Sequence, residues 1–376
     1  MNILITGGAG FIGSSLALDL IQRGHSVRIL DNLSPQIHGA DTSSSPTFLD
    51  VREKVDFLIG DVTCIEDWKR ALPDMDCVVH LAAETGTGQS MYRVHHYMDV
   101  NVNGTAHLLD LLDYEGSGLS RIIIASSRAV YGEGEYVDES DVIHYPSSRN
   151  EVDLQNGIFN PSYNGKQLKS VSTTENCPFS PGSIYGLSKQ VQEQMVLMAA
   201  KTKGISAFAL RYQNVYGPGQ SLQNPYTGII SIFSKLLLAN NPINIFEDGM
   251  ESRDFVYIND AVAATRAAIE HENNAAVESI NVGNGIATSV MEVATILKKL
   301  YNSSSELNVS GNYRLGDIRH NTADITKAKE MLAYLPQTDI ETGLRHFADW
   351  VGTQQVNNDE GYERSLSELK EKGLFK

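Results

Sequence analysis

The sequence predicts an α/β fold: a doubly wound parallel sheet followed by a smaller C-terminal α/β lobe. Two observations carry that expectation. Short apolar runs of Ile, Val and Leu alternate with amphipathic stretches from the first residues onward, and runs this apolar suit strands buried on both faces. A glycine cluster also falls at the first junction between such a run and a helix-like stretch. Alternation of this kind implies right-handed β-α-β crossovers and hence parallel pairing.

Taken in order, the strand-like runs are Asn2 to Thr6, Ser26 to Leu30, Phe57 to Ile59, Cys77 to His80 and Arg121 to Ala125, with a further run at Ala207 to Leu210. Between them, Ser14 to Arg23 reads as a helix. So does Tyr97 to Tyr114, through an apolar stripe that includes Val100, Ala106, Leu108 and Leu112. A third long helix is expected over Ser183 to Thr202. Helical stretches at 228–239, 260–271 and 289–301 fall in a region of mixed character after residue 210. The expected organisation is therefore a first domain over 1–210 and a mainly ligand-binding lobe over 211–376, some of whose segments return to the first. Residues 133–180 break the rhythm, being polar and too long for an ordinary connection. Such a segment either caps a site, makes an interface or is a disordered excursion.

The glycine cluster is Gly7-Gly8-Ala9-Gly10-Phe11-Ile12-Gly13. Its GxxGxxG spacing places Gly7 at a tight turn, Gly10 beneath a pyrophosphate and Gly13 against the following helix, the arrangement of a Rossmann-type dinucleotide site. Backbone N–H groups of Phe11 and Ile12 then open a helix facing phosphate. Asp31 and Asn32 close the second strand, where a carboxylate accepts the hydroxyls of the adenosine ribose. That favours NAD, because a 2′-phosphate beside a carboxylate is repelled. Asp61 and Val62 are placed to meet the adenine. Leu81, Ala82 and Ala83 let the fourth strand's end pass close to the cofactor, with His80 expected to be a satisfied core histidine.

Ser127 follows the fifth strand, and Tyr185 and Lys189 lie one helical turn apart. Together they form a chemically complete set for oxidising an alcohol. Tyrosine, ordinarily near pKa 10, is a poor base at neutral pH. An adjacent ammonium and a positive nicotinamide would each favour its phenolate. Ser127 would hold the same hydroxyl.

Bulk composition excludes other classes. Thirty Lys and Arg against 46 Asp and Glu give a net charge of −16, so no basic face is available for nucleic acid or an anionic membrane. No apolar run approaches the roughly 20 residues of a membrane span. The three cysteines, Cys64, Cys77 and Cys177, are too scattered for a disulfide framework or a zinc site and suggest reduced thiols in the cytoplasm.

These motifs, in this order, resemble the extended short-chain dehydrogenase/reductase superfamily of nucleotide-sugar enzymes over residues 1 to about 350. The run Arg211 to Gly228, the segment Gln36-Ile37-His38-Gly39 and the form Ser126-Ser127-Arg128-Ala129-Val130-Tyr131-Gly132 are similar to the dTDP-L-rhamnose 4-epimerase branch. Many relatives of that branch carry cysteine pairs in the long segment, whereas this chain has Asn164-Gly165 near that place and only Cys177. No metal is expected. The resemblance implies Asn101 as a further cofactor residue. It also implies that Asn214 contacts the sugar or phosphate, that Arg253 and Arg314 grip a diphosphate, that Asn224, Tyr226 and Thr227 meet the base, and that Glu84, Thr85, Gln89, Ser127 and Arg128 line the sugar pocket. Surface ion pairs with Asp254 and Asp317 are the alternative role for the two arginines, and Asp260 is expected to cap a helix.

The activity implied is epimerisation at C4 of a nucleotide-diphosphate sugar through a 4-keto intermediate. A dTDP-6-deoxyhexose is the first expectation and a UDP-hexose or UDP-uronic acid the second. A 4-ketosugar reductase would use the same three residues, and a non-catalytic NAD sensor would have no need of them. Dehydratases of the superfamily place Asp-Glu after the serine or threonine; here Arg128 and Ala129 stand there. The resemblance also implies a homodimer, in which the helices at 97–114 and 183–202 would pair between two copies.

Overall fold

The computed structural model describes all residues except 114–117, 223, 225–227 and 355–360. Seven strands form one parallel sheet: β1 (Asn2–Thr6), β2 (Ser26–Asp31), β3 (Asp56–Ile59), β4 (Cys77–His80), β5 (Arg121–Ser127), β6 (Ser206–Tyr212) and β7 (Val277–Val282), in the order β7-β6-β5-β4-β1-β2-β3. Alternate side chains take opposite faces, as the pleat requires. Ile3, Ile5, Val79, Ile123, Phe208 and Leu210 enter one core, while Leu4, Val78, Ile122, Ile124, Ala207 and Ala209 enter the other. The strand order reverses between β1 and β4, and ligands of such sheets bind beyond the carboxyl ends of the strands at that point.

Helix α1 (Phe11–Gln22) follows the glycine turn, and α2 (Ile184–Lys203) crosses from the long insertion to β6. Ser183 caps α2 by accepting from Gly186 N at 3.1 Å. The helix expected over 97–114 is instead composite. It runs Val94–Met98, then a π-helical turn Asp99–Asn103, then Gly104–Asp110. The extra residue of the π-turn rotates the helix beyond it by roughly 100°, and the broad apolar stripe of the sequence masks that shift.

After β6 the chain builds a second layer. Asn214–Tyr216, Ser252–Tyr257 and Ala287–Ser289 form one small sheet, flanked by His320–Asn321, and Ile243–Ile245 pairs with Leu307–Val309. Helix α3 (Ile258–Ile269) packs against α1, and β7 joins the main sheet. Asp260 does not cap α3. Tyr257 holds that position, and the Asp260 carboxylate accepts from Gln337 N at 2.9 Å and Thr338 N at 3.1 Å.

The polar insertion is ordered. Tyr136–Val137 pairs antiparallel with both Ile143–His144 and Lys169–Ser170. Ser162–Tyr163 and Lys166–Gln167 form a hairpin whose corner, Asn164 and Gly165, has φ of 50° and 76°. Asn-Gly is the pair most suited to such a tight hairpin, so its sequence signal was present. Arg149 ties the insertion down through Glu133 at 3.2 Å and Glu247 at 2.7 Å, and Arg319 adds Glu247 at 2.9 Å.

Candidate functional site

One cavity of about 1130 Å³ opens at the carboxyl edge of the sheet, where the strand order reverses. That is room for two sizeable ligands at once. Its floor is the glycine turn. Gly7 has φ of 68°, and a Cβ there would stand 2.8 Å from Ala82 N, so both the backbone and the neighbouring strand require glycine. Gly10, Phe11, Ile12 and Gly13 continue the wall, and no side chain caps α1 at Gly10, which leaves the helix start open to an anion.

Asp31 lies beside this turn, its oxygens accepting from Ala9 N at 2.9 Å and Leu33 N at 2.8 Å, with His38 Nε2 at 3.9 Å. Burial raises its carboxyl above the usual range, and the two backbone donors oppose that. Asn32, Val62, Leu81, Ala82 and Ala83 also line the cavity. Two expected cofactor residues do not. Asp61 stands behind Asn32, accepting its carboxamide at 2.8 Å together with the N–H and hydroxyl of Thr63. Asn101 is fully buried at the π-helical turn. Its carboxamide is spent on Glu84 N (2.8 Å), Glu84 O (3.1 Å) and Ser188 Oγ (2.9 Å). It positions the Glu84 backbone rather than facing the cavity.

His80 is the satisfied core residue expected of it. Its ring meets Thr6 Oγ1 at 2.7 Å and Thr105 Oγ1 at 3.1 Å, and burial pushes its pKa down to about 3.

On the opposite wall α2 presses against the turn after β5. A Cβ on Gly186 would stand 2.5 Å from Ala129 O, and this close approach sets Tyr185 beside Ser127. The Ser127 hydroxyl accepts from Ala129 N at 3.2 Å, capping a turn, and stands close enough to the Tyr185 phenol to favour its phenolate. Burial raises the Tyr185 pKa above its ordinary value; Ser127 and the charge of Arg128 pull it down. In the chain alone burial wins, and the cation acting on Tyr185 is Arg128. Lys189 donates instead to Ala125 O at 3.0 Å, and burial pushes it down to about 7.

Arg128 donates Nε to Asn214 Oδ1 at 2.8 Å. Burial and the nearby Arg253 push it down to about 10, against the pull of Asp317 and Tyr185. Glu84, Thr85, Gln89, Asn214, Asn224, Arg253 and Arg314 line the same cavity. The terminal nitrogens of Arg253 are already used, by Ser252 O, Arg319 O, Ile318 O and Asp317 Oδ1 at 2.8 to 3.1 Å. Asp254, its other expected partner, instead accepts from Asn284 N, Gly285 N and Ala323 N. Arg314 lies over the Phe246 ring at 4.9 Å. Tyr226 and Thr227 lie outside the described residues. The sequence reading missed the contributions of Ser44 to Thr47 and of the last residues of the chain, including Tyr362, Leu369 and Leu374, all of which line the cavity. Both stretches looked merely polar. No group of three or more His, Cys, Asp or Glu suited to a metal occurs among the described residues.

Such a cavity serves enzymes that move hydride between a nicotinamide and an alcohol carbon, holding both partners beside one phenol. The comparison with known proteins gives the family. The model of the NAD dependent epimerase/dehydratase family matches residues 3–151 and 162–283, and the chain belongs to that family. The break between the two matched stretches falls inside the insertion. The chain is 36% identical over 355 residues to the dTDP-L-rhamnose 4-epimerase of Burkholderia thailandensis, covering 94% of this chain and 95% of that protein. It is 33% identical to a putative UDP-glucose 4-epimerase of Methanocaldococcus jannaschii, covering 93% and 98%. Among solved structures, UDP-glucuronic acid 4-epimerase from Bacillus cereus in complex with UDP-glucuronic acid and NAD superposes with a TM-score of 0.75 at 27% identity, covering 94% of this chain and 99% of that one. No helix among the described residues is long and apolar enough to cross a membrane.

Proposed function

We propose that the chain is a 4-epimerase of a nucleotide-diphosphate sugar, working through a transient 4-keto sugar and most suited to a dTDP-6-deoxyhexose such as dTDP-L-rhamnose and its C4 epimer. The observation that carries the reaction type is the placing of Tyr185 beside Ser127 and Arg128, on the wall of a cavity whose other wall is the glycine turn. Gly7 to Gly13, Asp31 and Asn32 would hold NAD, with Lys189 reaching its ribose. Bound NAD supplies the acceptor for hydride from C4 and the donor that returns it to the opposite face. Tyr185 takes the C4 hydroxyl proton as the carbon is oxidised and gives it back on reduction. Net redox is zero and one proton is used twice.

Arg128 and Ala129 leave no acid–base pair beside Ser127 of the kind elimination of water would need, which favours epimerisation over dehydration. The preference for a dTDP-deoxysugar rests on the Burkholderia relative and on the Arg211 to Gly228 run. A UDP-hexose or UDP-uronic acid is the second reading, supported by the archaeal relative and the Bacillus cereus structure. Purified protein incubated separately with dTDP-L-rhamnose, UDP-glucose and UDP-glucuronate decides between them. Interconversion of C4 epimers without net NADH is expected with the first; stoichiometric NADH would make the chain a reductase instead.

The same reading places the chain in the cytoplasm as a homodimer. Leu187 and Met198 on α2 and Val94 on the helix beside it are 39%, 69% and 42% exposed, an apolar face suited to a second copy. Sedimentation giving a monomer at micromolar concentration would remove the dimer.

A further inference from the structure

The last residues of the chain, polar in sequence and unassigned by any motif, cross the mouth of the cavity. They comprise the helix Gly361–Glu371 and the extended residues 374–376. On the side of the main sheet, Tyr92 Oη donates to Glu368 Oε2 at 2.9 Å and Leu369 packs on Gly88. On the far side, Tyr313 N donates to Lys376 O at 3.0 Å, Lys376 N to Tyr313 O at 3.1 Å and Leu315 N to Leu374 O at 3.0 Å. Phe375 packs on Phe246 with centroids 5.0 Å apart, and Lys376 Nζ reaches Glu151 of the insertion at 2.8 Å. One short segment thus ties the sheet domain, the second lobe and the insertion together over the site.

Arg314 lies at the junction. Phe246 covers the plane of its guanidinium, Tyr362 stands beside it on the cavity wall, and its Nε is buried without a partner. An arginine has five donors and a costly freedom of rotation. Here one face is covered by Phe246 and the Tyr362 phenol flanks the side chain, so its donors can meet an anion in a preset geometry.

We propose that the C-terminal segment is part of the ligand site: a wall that closes over a bound nucleoside diphosphate, in which Tyr362 is a positioning residue for Arg314. This rests on the nucleotide-sugar reading. The test uses NAD-loaded protein and the bare nucleoside diphosphates dTDP and UDP as probes, with affinity from calorimetry and with KM and kcat for epimerisation alongside. Removing residues 361–376 should weaken diphosphate binding about ten-fold, and Tyr362→Phe by about three-fold, with KM rising more than kcat falls. Where the truncated chain fails to fold, Tyr362→Phe in the full chain carries the test. Unchanged diphosphate affinity in Tyr362→Phe overturns the proposal, including where its melting temperature falls. Arg314→Ala separates the two levels. If it weakens diphosphate binding while Tyr362→Phe does not, only the role of the wall is lost; if it has no effect, the reading of Arg314 as a diphosphate ligand is lost with it.

Discussion

Lys189 and Glu193 sit one turn apart on α2, both almost fully buried, and the protein treats them in opposite ways. Glu193 accepts from Arg211 Nε at 3.1 Å and from its terminal nitrogen at 2.5 Å, from Ser126 Oγ at 2.5 Å and from Ser279 Oγ at 2.7 Å. Arg211 in turn donates to Tyr131 Oη and Glu175 O and lies between the rings of Tyr131 and Phe179. Burial works against the Arg211 charge, yet its bonds to Glu193 hold it above its ordinary pKa. Lys189, by contrast, donates to a backbone carbonyl, and among the described residues no counter-charge acts on it. A buried ion supplied with every partner belongs to the architecture. One left short of them is poised for something that arrives from outside.

Changes on the unsatisfied side should damage chemistry, and changes on the satisfied side should damage folding. The largest effect is expected at Tyr185. Tyr185→Phe removes the phenol proposed to take the substrate proton, so kcat should fall about 1000-fold while NAD stays bound and the melting temperature holds. An active variant would refute the base assignment. At Arg211 the signature reverses. Arg211→Leu leaves Glu193 buried and unpaired, costing about 3–5 kcal/mol, read as a fall in denaturation midpoint. A midpoint within error of the wild type would remove the contrast.

A smaller effect is expected at Arg128, the cation acting on Tyr185 from the side of the sugar pocket. Its charge favours the phenolate. Arg128→Met should therefore raise the Tyr185 pKa and move the rising limb of the kcat profile to higher pH. An unmoved limb, whatever happens to KM, would mean that the guanidinium binds substrate without tuning the base.

The satisfied and unsatisfied halves were unequally legible in the sequence. The strands announced themselves through continuous apolar runs, and the glycine turn through spacing that backbone geometry enforces at Gly7. Ser127, Tyr185 and Lys189 were legible because three polar residues at strand and helix ends have few other reasons to converge. What stayed hidden depends on partners far away in sequence. Asn101 was given a ligand role, but its amide is consumed by Glu84 and Ser188 across a π-helical turn. The ion pair of Arg253 is made with Asp317, 64 residues further along the chain, and not with the adjacent Asp254. Tyr362 carried no local signal at all, since its place over Arg314 arises only when the chain end folds back.

The smallest effect tests the contrast most directly, because it predicts a gain. Burial holds the Lys189 pKa near 7, against about 10.5 when exposed. A folded pKa below the unfolded one means that stability present above pH 10.5 is lost as pH falls toward 7. Below about 7 the penalty is full, because the folded chain must then carry an unpaired ammonium. Lys189→Met removes that penalty while keeping most of the side-chain volume. Without NAD, the variant should melt about 3 °C above the wild type at pH 6 to 7, and the gap should close toward pH 10. It should also bind NAD more weakly if the ammonium reaches the ribose as proposed. Lys189 would then be stabilising only when the cofactor is present. A variant less stable than the wild type at every pH would show that Lys189 is as fully partnered as Glu193, and the distinction between the two turns of α2 would collapse.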